Sequence, residues 1–229
     1  RYLYDLYDEA HTPWEWHEPI MKQASSLGLT CFSSPFDETA VEFLEDLNVE
    51  AYKIASFENM HYPLIEKVVS TKKPIIVSTG MSSVSEIHDT VTHLRSLGSE
   101  NFALLKCTST YPASPKNTNV ITIPHMRKLF GCEIGLSDHT MGIGASIAAI
   151  SHGASIIEKH FTLDRNDGGV DSAFSLEPAE MKSLVVESER AWQSLGNIKY
   201  GASESEKKSK IFRRSIYVSQ DMEKGDIFN

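Results

Sequence analysis

Two short stretches place groups capable of chemistry at the ends of apolar runs. GLSDHT (135–140) brings Ser137, Asp138 and His139 together. EKHFT (158–162) brings Glu158, Lys159 and His160 together, with His160 twenty-one positions after His139. Two neutral imidazoles at equivalent places suit a divalent metal with open positions for water and a substrate oxygen. A metal held by only two protein nitrogens acts as a Lewis acid on a carbonyl, not as a closed structural site. The alternative for each histidine is a hydrogen-bonded structural role. Asp138 is expected to orient a ligand imidazole from behind.

Four further strand-like runs end the same way: in Ser33-Ser34, in Lys53 with Ser56 and Glu58, in Ser78-Thr79-Gly80, and in Lys106 with Thr108 and Ser109. Hydroxyls, backbone amides and a lysine suit a phosphate or a carboxylate. Lysine is rarely buried alone, so Lys53 and Lys106 imply an anion or an acidic neighbour. A strand lysine could instead form a Schiff base, as in barrel aldolases.

The elements that must position these groups recur. The apolar leads are GLTCFSS (28–34), EAYKIAS (50–56), PIIVSTG (74–80), FALLKCTS (102–109), EIGLSDH (133–139) and ASIIEKH (154–160). Amphipathic stretches separate them. DETAVEFLEDL (37–47) opens on an Asp cap, SSVSEIHDTVTHLRSLG (82–98) has Ser capping signals and ends on Gly98, and PAEMKSLVVESERAWQSLG (178–196) opens on Pro and ends on Gly196. Strands apolar throughout and alternating with helices predict a parallel sheet covered on both faces. Regular spacing, with polar residues at every strand end, favours a (β/α)8 barrel over a doubly wound sheet, because barrel strand ends converge on one site. No GxGxxG follows any strand, which argues against a dinucleotide site.

Composition narrows the function classes. The 229 residues are 41% hydrophobic and 23% charged, with a net charge of −9. That balance disfavours a nucleic-acid binder and leaves small anionic substrates open. No run has the length of a membrane span. Cys31, Cys107 and Cys132 are odd in number and far apart, with no CxxC, so a reducing cytoplasm is expected rather than a disulfide framework or a structural zinc site.

The ordered motifs KIASFE (53–58), PIIVSTGM (74–81), LLKCTSTYP (104–112), GLSDHT, EKHFTLDR (158–165) and GGVDSAFSLEP (168–178) resemble the sialic acid synthase family over almost the whole chain. Phe57, FSLEP and FRRSIYV (212–218) resemble its pseudaminic branch, with the legionaminic and N-acetylneuraminic branches as alternatives. The resemblance implies a (β/α)8 barrel followed by a small antifreeze-like (SAF) domain, in a domain-swapped homodimer. It implies condensation of phosphoenolpyruvate with an N-acetylated amino sugar, 2,4-diacetamido-2,4,6-trideoxy-altrose in the pseudaminic branch, with Mn2+ or Mg2+ and release of phosphate. No nucleic-acid or membrane partner is implied.

Position by position, the resemblance makes His139 and His160 the metal ligands. It sets Ser34, Lys53, Ser56, Ser78 and Ser137 around phosphoenolpyruvate, with the catalytic Glu58 as a neighbour. Ser109 and Tyr111 line the same pocket, Lys106 fits it physically, and Asp171 holds sugar hydroxyls. The chain is then read as a partial barrel over 1–196 (strands three to eight), a linker over 197–210 and the beginning of a SAF domain over 211–229. The family's first two strands are missing from this sequence, so this chain alone is expected to be inactive.

Overall fold

The computed structural model describes residues 2–217 and 219–227. The chain forms two compact units, Arg1–Leu195 and Gly196–Asn229.

The first unit opens with helices α1 (Tyr2–Ala10), α2 (Trp14–Ser26) and α3 (Glu38–Asp46). Five strands follow, each leading into a helix: β1 (Tyr52–Ile54), α4 (Tyr62–Ser70), β2 (Ile75–Ser78), α5 (Val84–Ser96), β3 (Phe102–Cys107), α6 (Thr122–Phe130), β4 (Glu133–Asp138), α7 (Gly144–Ser151), β5 (Ile157–Lys159) and α8 (Pro178–Leu195). All neighbours pair in parallel, in the order β1-β2-β3-β4-β5. Strand order never reverses, so the sheet has no switch point of the doubly wound kind. It is a curled parallel half-barrel, built of βα units wound in one direction.

Local signals place the helices. The Asp37 carboxylate accepts from Ala40 N at 2.8 Å and starts α3. Ser83 and Glu86 form a reciprocal capping box at the head of α5. The GLTCFSS stretch, expected as a strand, is not one. Its only ladder contact to β1 is Ser33 O accepting from Lys53 N at 3.4 Å, and one long bond does not make a strand.

Alternation along the strands separates two faces. Tyr52, Ile54, Ile75, Val77, Phe102, Leu104, Ile134 and Leu136 share one buried core with helical residues such as Val41, Leu64, Leu94, Ile123 and Phe130. Lys53, Ser78, Leu105, Cys107, Gly135, Ser137 and Glu158 have the opposite parity and face the concave side. Gly135 is required there by packing. A Cβ at this position would lie 2.4 Å from Ile156 O and 2.6 Å from Leu105 Cδ2. Gly135→Ala is therefore expected to destabilise the unit by about 1–3 kcal/mol, read as a lower urea midpoint with an unchanged slope. An unchanged midpoint would refute the packing account.

In the second unit, Lys207–Phe212 forms a 3-10 helix, and a turn closes with Asp226 N donating to Glu223 O at 3.1 Å. The strand expected to open at residue 211 does not form among the described residues. Residues 212–217 have the alternation of a strand but no ladder partner among the described residues, and an isolated strand leaves its backbone groups to water; Val218 lies outside the described residues.

Candidate active site

The concave face gathers most of the residues selected from the sequence at the C-terminal ends of the strands. His139 follows β4 with the parity of Ser137, and His160 follows β5 with the parity of Glu158. Their ring centroids lie 5.1 Å apart at 62°. The Nδ1 edge of each ring is already engaged. His139 Nδ1 donates to Thr108 O at 3.2 Å, and His160 Nδ1 faces the Asp171 carboxylate at 3.5 Å. This fixes the rings and leaves the two Nε2 atoms for a ligand, the usual arrangement behind a metal-binding imidazole. Tyr111 packs on His139 at 4.4 Å and Phe174 on His160 at 5.0 Å, giving the pair an aromatic wall.

Among the described residues no group of three His, Cys, Asp or Glu side chains converges as a ligand set. A metal here would be held by His139 and His160 alone among the protein's nitrogens. The free Nε2 edges and the carbonyl and carboxylate behind them fit such an ion.

The anion half of the site lies beside the histidines. Lys53 is 8% exposed, and its Nζ lies 3.4 Å from the Glu158 carboxylate. The Ser137 hydroxyl donates to the other Glu158 oxygen at 2.7 Å. One carboxylate thus already takes an ammonium and a hydroxyl, the contacts a substrate carboxylate or phosphate would use. The Ser56 hydroxyl accepts from Gly80 N at 3.1 Å, which leaves its own proton free to donate. Ser78 is 2% exposed and its Oγ has no partner. Glycine is needed at position 80, because a Cβ there would sit 2.0 Å from Ser109 Oγ and 2.8 Å from Ser56 Oγ.

Titration follows from burial and neighbours. Burial drives the Glu58 carboxyl above its ordinary range, against the smaller pull of its own backbone N–H, His61 and Lys53; its Oε2 has no partner. Burial pushes the Cys107 thiol up, but its hydrogen-bonding surroundings, His139 foremost, outweigh that and bring the thiol down to about 7. Burial also pushes the His139 imidazole down, and the Cys107 thiol beside it reverses that to a net rise. His160 is lowered by burial and then by the charge of His139.

The chain matches the NeuB family over residues 1–200. The chain belongs to the NeuB family. It is 41% identical to a pseudaminic acid synthase of Campylobacter jejuni over all 229 residues, which cover 67% of that protein. It is 37% identical to an N,N'-diacetyllegionaminic acid synthase of the same organism, over 93% of this chain and 65% of that one. The chain thus spans about two thirds of the length of these curated relatives. Among solved structures, an N-acetylneuraminic acid synthetase from Leptospira borgpetersenii in complex with citrate superposes with a TM-score of 0.84 at 32% identity, covering 91% of this chain and 73% of that one.

Two residues expected at this site lie on the helix side of their strands. Lys106 shares the parity of Phe102 and Leu104, so it leaves β3 on the helix side, where its Nζ donates to Thr108 Oγ1 at 2.7 Å. Asp138 touches neither imidazole. It lies on the helix side of β4, where Thr140 N, Ser146 Oγ and Lys159 Nζ fill its oxygens. Asp171 stands behind the His160 ring. Ser34, half-buried in the extended stretch before α3, makes no hydrogen bond to the cluster among the described residues.

Two residues on the concave face had no role from sequence: Glu158, named only as a strand-end group, and Cys107, noted only as a thiol. Glu158 sits between Lys53 and Ser137, and Cys107 is the register partner of Ser137. Counting positions from the apolar core along β3 and β5 assigns both to this face. A groove of about 810 Å3 between β5, α7 and α8, lined by Leu184, Val185 and Trp192, lies at the opposite end of the strands and holds none of the site residues. Among the described residues no helix is long and apolar enough to cross a membrane.

Proposed function

We propose that this chain is the catalytic part of a pseudaminic acid synthase, condensing phosphoenolpyruvate with 2,4-diacetamido-2,4,6-trideoxy-altrose. The observation that carries the reading is a juxtaposition on one concave face: a pair of imidazoles with free Nε2 edges, following the adjacent strands β4 and β5, beside a lysine of β1 and a serine of β4 that already hold a carboxylate. The relative at 41% identity gives the branch.

Lys53 and the hydroxyls of Ser56, Ser78 and Ser137 hold the carboxylate and phosphate of phosphoenolpyruvate, with Glu158 giving up its place. Ser109 and Tyr111 close the side of the pocket. His139 and His160 would hold a divalent metal, Mn2+ or Mg2+, which would supply Lewis-acid polarisation of the open-chain aldehyde. The carbon–carbon bond forms between C3 of phosphoenolpyruvate and the aldehyde carbon, whose oxygen takes a proton and becomes a hydroxyl. Water adds at C2, and Glu58 takes its proton at Oε2. Phosphate leaves from C2, where the keto group forms. Asp171 fixes the His160 ring and stands within reach of the sugar's hydroxyls.

We assign residues 197–210 to a linker and 211–229 to the beginning of a SAF domain, exchanged between subunits in a homodimer of the complete protein. The three free thiols are in keeping with a cytoplasmic enzyme.

The 37% identity to a legionaminic acid synthase keeps that sugar acid as the second reading. A lysine-dependent aldolase fits less well: the Lys53 ammonium is paired with Glu158, and Lys106 lies on the helix side of its strand. The test is phosphate release from phosphoenolpyruvate by the complete protein against a panel of acetamido sugars. Release with the altrose derivative alone is the expected result. Release with a legionaminic or mannosamine precursor instead would move the assignment to that branch. Covalent trapping of pyruvate by borohydride, with no dependence on metal, would overturn it.

A further inference from the structure

Asp138 and Lys159 are register partners on β4 and β5, and the next residues are His139 and His160. Their side chains form an ion pair at 3.0 Å on the helix side of the sheet, with side-chain exposures of 0% and 2%. The rest of the network is closed. Asp138 Oδ1 accepts from Thr140 N at 2.8 Å, and Oδ2 accepts from Ser146 Oγ of α7 at 2.7 Å. Lys159 Nζ also donates to Thr140 O.

Stability does not explain this pair. Burying two charges costs several kcal/mol per ion before pairing, and well-packed apolar residues of similar volume serve as well or better. What apolar residues lack is direction. The network holds the backbone N–H and carbonyl of Thr140, after His139, and fixes the side chains of the residues before His139 and before His160. It ties the two strands together at the last rung before the imidazoles and anchors that rung to α7.

We propose that the Asp138–Lys159 pair is a positioning device that sets the separation and aim of His139 and His160, and so the affinity of the site for its divalent metal. This rests on the metal reading given above. Neither residue touches the concave face; both act through the backbone of the histidine that follows.

The test measures Mn2+ dissociation constants from the electron paramagnetic resonance signal of free Mn2+, together with melting temperature, in the complete protein. The paired variant Asp138→Leu/Lys159→Met removes both charges without orphaning either. It is expected to melt within a few degrees of the native protein and to bind Mn2+ about 10–100-fold more weakly, as when an outer partner of a ligand is lost. Lys159→Arg keeps the charge and changes the reach; it should also weaken Mn2+, and it decides the matter if the paired variant does not fold. Folded variants that bind Mn2+ as tightly as the native protein would overturn the positioning role. His139→Ala in the same assay separates the two readings. If it binds Mn2+ like the native protein, the metal assignment fails and this proposal with it. If it loses Mn2+ while the paired variant keeps it, the positioning role alone fails.

Discussion

His139→Ala and His160→Ala are each expected to lower turnover of the complete enzyme by about 10³-fold or more. The expectation follows from the free Nε2 edges of two rings 5.1 Å apart, each fixed from behind by Thr108 or Asp171. Lewis-acid stabilisation of a developing alkoxide contributes several kcal/mol, and each 1.36 kcal/mol corresponds to a factor of ten in rate. Folding should be affected much less. The His160 side chain is 32% exposed, so truncating it opens no closed cavity. The check is a phosphate-release assay with added Mn2+, paired with thermal melts. A variant that keeps more than a tenth of native turnover would remove its histidine from the metal site.

Glu58→Gln is expected to separate activity from stability. Loss of a positioned proton-transfer group costs about 10²–10⁴-fold in rate. Stability should move the other way. The folded state holds the Glu58 carboxyl above its ordinary value, chiefly through burial, so the fold prefers the protonated form. Its contribution to stability is complete below the unfolded carboxyl value and is lost as pH rises through the raised folded value. At neutral pH the ionised carboxylate therefore weakens the fold, and Oε2 has no partner to compensate. A neutral amide of the same shape relieves this, so Glu58→Gln should melt at or above the native temperature at pH 7, with no advantage at pH 4. A variant that loses several degrees at pH 7, or retains full activity, would contradict the role given to Glu58.

Much of this arrangement is legible in the sequence, for identifiable reasons. The five strands that form are apolar runs bounded by turn signals, and the caps at Asp37 and Ser83 sit where their residue types require. Strand-end positions converge because a sheet of constant strand order points all its C-terminal ends the same way. What escaped is the side of the strand. Lys53 and Lys106 look alike as lysines inside apolar runs, yet one stands with Glu158 and the other with Thr108, because they differ in parity from the buried core. Asp138 and Glu158 exchanged their expected importance for the same reason. GLTCFSS and FRRSIYV escaped for a different one. Both have strand composition, but a strand exists only where a neighbour supplies its hydrogen bonds, and no local pattern reveals that.

The division of each strand into a chemical side and a supporting side bears on how this sequence can change. Substitution at a loop position such as Phe57 or Met81, both well exposed beyond the strand ends, alters one side chain and leaves the sheet as it was. A one-residue insertion or deletion inside β4 or β5 does something different in kind. It would turn Asp138 or Lys159 toward the substrate and bury His139 or His160 among Ile134, Leu136 and α7, reversing every role along the strand at once. Descendants of this sequence are therefore free to vary in length between strands and bound to keep count within them, so the spacing of residues in β4 and β5 is itself a part of the catalytic apparatus.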